Sequence, residues 1–172
     1  METTSAQPTR SRILDDVRAH PGSSAREIQR RLSLGWGDVA YQLDVLVRRD
    51  ALRRERGGWR DYYFDPGITW EERKVLQSLH SPAERAILLV LGRGPGFSLG
   101  ELVERVRLSK STVSFHLSRL TGLGVVTPFY DSGVRRYRVR DPERLERLLT
   151  TYRSSLGDQF VDRFAEAFGS LR

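Results

Sequence analysis

Between residues 109 and 119 the chain places Ser109, Lys110, Ser111, Thr112, Ser114, Phe115, His116 and Arg119. Short hydroxyls mixed with a few cations suit contact with phosphate oxygens and base edges. The hydroxyls let a helix approach closely, and the cations neutralise phosphate. Turning Val113 inward and stepping about 100° per residue brings Leu117 and Leu120 to the same buried face. Ser111, Ser114, Phe115, Ser118 and Arg119 then fall on the outward half, with Thr112 and His116 at its flank. Lys110 stands in the first turn, where free backbone amides already favour anions. The plain alternative is a solvated polar face. Phe115 keeps two readings open, contact with thymine methyls or a sugar, or packing on a neighbouring domain.

Two arginine-rich segments offer further cations. In the first, Arg53, Arg54, Arg56 and Arg60 surround Trp59, and Gly57-Gly58 reads as a two-residue hairpin loop. That register puts Glu55 opposite Arg60 and Arg54 opposite Asp61, so cross-strand pairing offsets part of the charge. In the second, Val125–Tyr130 and Val134–Arg140 flank a loop of Asp131-Ser132-Gly133. Strand alternation sets Arg136, Arg138 and Arg140 on the face opposite Tyr137 and Val139. Arg135 and Arg136, near the tip, are the best placed for phosphate or the minor groove. Arg54, Arg56, Trp59 and Arg60 are the corresponding candidates of the first hairpin.

Other chemistry finds little support. There is no Cys, which removes disulfides, thiolate metal sites and cysteine nucleophiles. The three His, at 20, 80 and 116, are too scattered to suggest a metal site. Gly92–Gly96 lacks the pattern of a phosphate-binding loop. The expectation is no enzyme, no cofactor and no metal. Nothing approaches the roughly 20 apolar residues of a membrane span, and the first residues lack the apolar core of a signal peptide. A soluble, cytoplasmic protein is expected.

The net charge is +7, and 27 of the 29 basic residues are Arg. Codon bias accounts for part of this; the planar guanidinium also suits phosphate and guanine. The charge is uneven. Residues 1–66 hold 12 basic and 10 acidic groups, residues 67–141 hold 12 and 7, and residues 142–172 hold 5 of each.

The elements that must position these groups occur twice. Residues 13–64 shifted by 74 lie on 87–138 without a gap, and 12 of the 52 positions are identical. Each copy opens with an apolar helix, on Ile13, Leu14 and Val17 or on Ile87, Leu88 and Leu91. Each then turns at Pro-Gly and starts a second helix with a capping box, Ser24 with Glu27 or Ser98 with Glu101. A third helix follows, with Val39, Leu43 and Leu46 or Val113, Leu117 and Leu120 inward, and then a hairpin. Thr69–Ser78 reads as a linker helix capped by Thr69 and Glu72, and Ser81-Pro82 opens the next helix. The first copy's third helix faces outward with Gly37, Asp38, Ala40, Tyr41, Asp44 and Val45, so its two carboxylates disfavour a phosphate groove. Lys110 and Arg119 are therefore expected to carry more affinity for nucleic acid than Asp38 or Asp44.

The stretch Leu108–Leu120, with Ser109-Lys110-Ser111-Thr112-Val113-Ser114-Phe115-His116-Leu117, resembles the recognition helix of ArsR/MarR-like winged-helix repressors. Leu123-Gly124-Val125-Val126 and the wing Gly133–Val139 fit the same pattern, and residues 24–64 fit it less closely. The whole chain past residue 12 is similar to archaeal tandem winged-helix regulators. The resemblance implies a mainly α fold with small β-hairpin wings, made of two tandem winged helix-turn-helix domains plus a C-terminal helical segment. The expected boundaries are 1–10 disordered, 11–66 the first domain, 67–80 the linker, 81–140 the second domain, and 141–172 for packing or dimerisation. The implied function is sequence-dependent binding of double-stranded DNA in transcriptional regulation, by a protein associated with the nucleoid. The family's thiolate sensing is excluded by the missing Cys. An abundant chromatin protein and a protein-interaction adaptor remain the alternatives. Leu149, Tyr152, Leu156, Phe160, Phe164 and Phe168 form an apolar stripe that either packs on the chain itself or joins two copies in a homodimer.

Overall fold

The computed structural model describes residues 8–156, and the chain divides into two compact units between Arg73 and Lys74. Each unit holds one copy of the repeat. The first contains α1 (Thr9–Ala19), β1 (Ser23–Ser24), α2 (Ala25–Leu32), α3 (Trp36–Arg48), β2 (Arg53–Gly57) and β3 (Arg60–Phe64). Helix α4 (Trp70–Leu79) carries the chain across the division. The second unit continues with α5 (Pro82–Leu91), β4 (Phe97–Ser98), α6 (Leu99–Val106), α7 (Lys110–Gly122), β5 (Val126–Asp131), β6 (Val134–Val139) and α8 (Pro142–Thr151). A 3-10 turn, Arg153–Leu156, ends the described chain. The fold is mainly helical with small antiparallel sheets, a tandem of winged helix-turn-helix domains.

Local chemistry explains the helix starts. Ser24 and Ser98 each accept the N–H of the residue three on, while Glu27 and Glu101 reach back to the capping N–H, 2.7 Å in both cases. These reciprocal bonds satisfy amides that a helix start leaves free. Thr69 and Glu72 do the same for α4. Asp141 caps α8, with Pro142 at the first position, where its missing N–H is harmless. The inward stripes fall where the spacing places them: Val39, Leu43 and Leu46 in α3, and Val113, Leu117 and Leu120 in α7, are all buried. Around them the first unit gathers Ile13, Val17, Ile28, Leu52 and Tyr63.

The start of the chain corrects one expectation. Thr9 and Arg10, placed in a disordered segment, are helical, and Pro8 takes the position before α1 without a side-chain cap. Side-chain bonds tie this turn down: Arg10 Nε donates to Gln42 Oε1 at 2.8 Å, and Arg12 donates to the Leu32 carbonyl at 3.0 Å. Deeper in the same unit the Asp16 carboxylate is buried and takes two bonds from Arg31, at 2.9 and 2.7 Å. Arg31 also donates to Ser23 Oγ, so this one cation fastens α1, α2 and β1.

Both sheets have three strands rather than the two of a hairpin, in the orders β1-β3-β2 and β4-β6-β5. The capping serines sit in extended backbone before their helices, and that conformation lets Ser23-Ser24 and Phe97-Ser98 pair with the last strand. The expected hairpin registers are corrected. In the first unit the turn is Gly58-Trp59, since Gly57 pairs with Arg60. In the second it is Ser132-Gly133, since Asp131 pairs with Val134. The two turns are equivalent under the shift of 74. Ser132 and Gly133 both take positive φ, 49° and 79°, as a type I′ turn requires; in the first turn only Gly58 does, at 67°, as in type II′. Arg54 therefore faces Tyr63, Glu55 faces Tyr62, and Arg56 faces Asp61. Glu55 finds its cation elsewhere, in Arg73 at 2.9 Å.

In the second unit Leu145, Leu148 and Leu156 are buried, and α8 lies close to α5: a Cβ on Gly92 would come within 3.1 Å of the Leu145 side chain. Leu149 and Tyr152 are half-buried. The C-terminal segment thus packs on its own unit as far as Leu156. Phe160, Phe164 and Phe168 lie outside the described residues.

Candidate nucleic-acid interface

Helices α6 and α7 are joined by a short turn in which Arg107 takes φ 55°, a left-handed conformation rare for a residue with a side chain. Ser33 adopts it at the equivalent place in the first unit, at φ 52°. Ser109 then caps α7, accepting the Thr112 N–H at 3.2 Å. Its hydroxyl also lies 2.7 Å from Thr112 Oγ1 and 3.0 Å from Ser111 Oγ. Ser109 and Thr112 are thereby engaged in holding the helix start. Lys110, Ser111, Ser114, Phe115 and Ser118 are exposed on the face away from the core, Phe115 by 65%.

His116 and Arg119 point elsewhere. The Glu84 carboxylate on α5 is fully buried, and its Oε1 lies 3.1 Å from both His116 Nδ1 and Arg119 Nη1. Arg119, expected on the outward half, and His116, expected at its flank, are both drawn to this buried carboxylate inside the unit. The His116 ring also meets Phe115 edge-on, with centroids 5.1 Å apart.

The second wing divides in the same manner. Pairing places Val126, Pro128, Tyr130, Arg135, Tyr137 and Val139 on one face, of which Val126 and Val139 are buried. Toward the tip this face ends in exposed Tyr130 and Arg135, the latter stacked over the Tyr137 ring. Arg136 is on the other face and is committed. It lies 3.0 Å from Glu101 and 3.2 Å from Asp131, and it donates toward the Gly96 carbonyl. The Glu101 carboxyl is held below its usual range, first by hydrogen bonds from Ser98 and then by Arg136. Arg138 stacks over Phe129. Among the described residues neither Lys110 nor Arg135 has a carboxylate partner.

In the first unit Arg54, Trp59 and Arg60 line one open cleft of about 880 Å³ together with Arg26, Arg30 and Trp36. Arg56 stands across the ladder from Asp61. Trp59 is fully exposed at the turn, and Trp36 is half exposed beneath Arg26. Asp44 and Asp61 enter the same cleft, and Asp38 is exposed at the start of α3. Burial raises the Tyr63 phenol above its usual pKa. Charge of both signs thus lines the first cleft, whereas the outward face of α7 carries no acid.

Two residues outside the sequence-derived set share the second unit's surface. Arg107 is exposed in the turn just before Ser109, and Tyr130 lies opposite Arg135 across the strands. The left-handed turn at Arg107 and the hairpin register place them, and neither is marked by a local pattern. Among the described residues no cluster of three His, Asp or Glu is arranged to hold a metal, and no helix is long and apolar enough to cross a membrane.

Residues 7–76 match a family model described as an N-terminal HTH domain, and residues 79–128 match one described as a helix-turn-helix domain. An uncharacterized HTH-type transcriptional regulator of Methanocaldococcus jannaschii is 23% identical over 118 residues, which cover 69% of this chain and 30% of that protein. The chain therefore spans about a third of that relative's length. Among solved structures, a predicted DNA-binding transcriptional regulator from E. coli is 29% identical, with 44% of this chain and 80% of that one covered and a TM-score of 0.41. The transcriptional repressor BigR from Xylella fastidiosa is 24% identical, with 46% and 80% covered and a TM-score of 0.41.

Proposed function

The chain carries two helix-turn-helix domains in tandem, and we propose that it is a transcriptional regulator that binds double-stranded DNA chiefly through the second. The observation that carries this reading is the surface of α7 and its wing. Lys110, Ser111, Ser114, Phe115 and Ser118 face outward with no acid among them, and Arg107, Arg135 and Tyr130 supply exposed cations and an aromatic edge. A helix clad in hydroxyls can approach base edges, and unpaired cations beside it can take phosphates. The first unit contributes through Arg54, Arg56, Trp59 and Arg60 of its wing, while Asp38 and Asp44 keep α3 out of a groove.

In this reading residues 11–66 and 81–140 are the two modules, 67–80 link them, and a chromosomal target places the protein in the cytoplasm on the nucleoid. Replacing Lys110 and Arg135 together by Ala is expected to weaken duplex binding about 30-fold, roughly 1 kcal/mol for each phosphate they neutralise. It should also flatten the dependence of log affinity on log salt by about 1.8, or roughly 0.9 per phosphate. Replacing Asp38 and Asp44 by Ala should cost nothing. Titration of labelled duplex at several salt concentrations checks both; an equal loss in the two variants would move the interface to the first unit.

The reading includes a homodimer, joined through the C-terminal segment, since repressors of this type place two recognition helices about one DNA turn apart. A chain ending at Leu156, which keeps the buried Leu145, Leu148 and Leu156, should then sediment as a monomer where the full chain sediments as a dimer. An unchanged state would remove this segment from the interface.

A further inference from the structure

The repeat allows the second unit's ion-pair cluster to be compared with its own counterpart. Under the shift of 74, Glu84 corresponds to Arg10, His116 to Gln42 and Arg119 to Val45. In the first unit Arg10 donates to Gln42, so beside their shared apolar core the first and third helices are joined at these positions by a bond to a neutral side chain. In the second unit the same two positions hold a buried acid and a histidine, and Arg119 is added one turn along α7. The scaffold therefore does not need the acid in order to hold these helices together.

What the acid does instead follows from its surroundings. Glu84 is the third residue of α5, with its N–H directed at Ser81 Oγ, so the helix start favours its negative charge. The carboxylate is fully buried and its Oε2 is buried without a hydrogen-bond partner. A buried carboxylate is tolerated only with its cations in place. Arg119 is 35% exposed and His116 16%, so both lie near the surface that faces DNA in the proposed function. For Arg119 to swing out to a phosphate it would have to leave a carboxylate that has no solvent to replace it.

We propose that Glu84 is a positioning residue for DNA recognition: it withholds Arg119 and His116 from the phosphates, so that beyond Lys110 in its first turn α7 meets DNA with hydroxyls and an aromatic edge. Through His116 it also steadies Phe115, whose ring rests edge-on against the imidazole. The consequence is specificity. Cations at a recognition helix raise affinity for any sequence, whereas hydroxyls and an aromatic edge act only where the bases fit. This inference rests on the proposed function.

The test uses the full chain and two duplexes of about 25 base pairs, one selected in vitro for tight binding and one random, with affinity measured against salt. Arg119→Ala leaves the buried Glu84 short of a cation and should lower the melting temperature, but at a temperature where it is folded it is expected to change affinity for either duplex by less than about threefold. Glu84→Gln is expected to bind the random duplex about five- to tenfold more tightly, with a salt slope steeper by about 1, and to lose discrimination by a similar factor. Because Glu84→Gln alone leaves Arg119 without its charge partner, Glu84→Arg with His116→Gln serves as its companion. It copies the Arg10–Gln42 bond, should melt as a folded protein, and should show the same gain on random DNA.

A loss of tenfold or more in Arg119→Ala, with a shallower salt slope, would overturn the proposal by placing Arg119 on phosphate. So would an unchanged slope and discrimination in both folded Glu84 variants. In the free chain, separate slowly exchanging Nη resonances of Arg119 should collapse on Glu84→Gln. If the wild type binds neither duplex, the proposed function fails while those resonances still report whether Glu84 grips Arg119.

Discussion

Carrying both Ser114→Glu and Ser118→Asp, the chain should lose duplex binding by at least about 100-fold. Both side chains are exposed on the outward face of α7. If that face meets DNA, each new carboxylate sits against phosphates, and like charges at an interface cost enough for a tenfold loss apiece. The fold should be unaffected, because exposed substitutions stay within about 0.5 kcal/mol. The first unit supplies the precedent, since Asp44 occupies the position equivalent to Ser118. The reverse change there, Asp44→Ser, should leave binding intact. Fluorescence anisotropy with a labelled duplex, beside thermal melting of each variant, reads both quantities. Wild-type affinity in the folded double variant would show that DNA does not lie against α7.

Leu117→Ala is the change expected to cost the second unit most stability. The side chain is 2% exposed at the centre of α7, between Val113 and Leu120. Truncation removes its burial and leaves a cavity, about 2–5 kcal/mol in well-packed cores. For a domain of this size the melting temperature falls by about 4–8 °C for each kcal/mol, so a drop of at least about 8 °C, and up to about 40 °C, is expected in calorimetry. Phe115→Ala, two residues away and 65% exposed, should shift the same transition by no more than about 4 °C. Equal losses would mean that Phe115 is packed in solution. A stable Leu117→Ala with weakened DNA binding would move Leu117 from the core to the interface.

Much of the fold is legible in the residues because it follows from patterns of short range. Helix starts are announced by Ser-x-x-Glu, because the reciprocal bonds span only three residues. The buried stripes of α3 and α7 follow from backbone periodicity. Glycines alone misplace the hairpin turns, at Gly57-Gly58 and Asp131-Ser132-Gly133. The repeat holds the answer, since aligning the copies sets Gly58-Trp59 on Ser132-Gly133, where both turns fall. Short strands β1 and β4 are hidden beneath their capping role, because pairing needs a partner about 40 residues away.

The amino-acid sequence by itself determined the two copies, their helices and the outward placement of Lys110, Ser111, Ser114 and Phe115. It also ruled out thiolate chemistry, through the missing Cys. Only the tertiary structure decided which cations are available. Arg119, His116 and Arg136 read alike with Lys110 and Arg135 in a linear chain. In the fold the first three are taken by Glu84 and Glu101, which stand 32 to 35 residues away, and the last two are left open. A backbone period fixes the direction in which a side chain leaves its helix or strand. Where a long arginine ends depends on the charge it meets, and that charge is brought near only by packing one element on another.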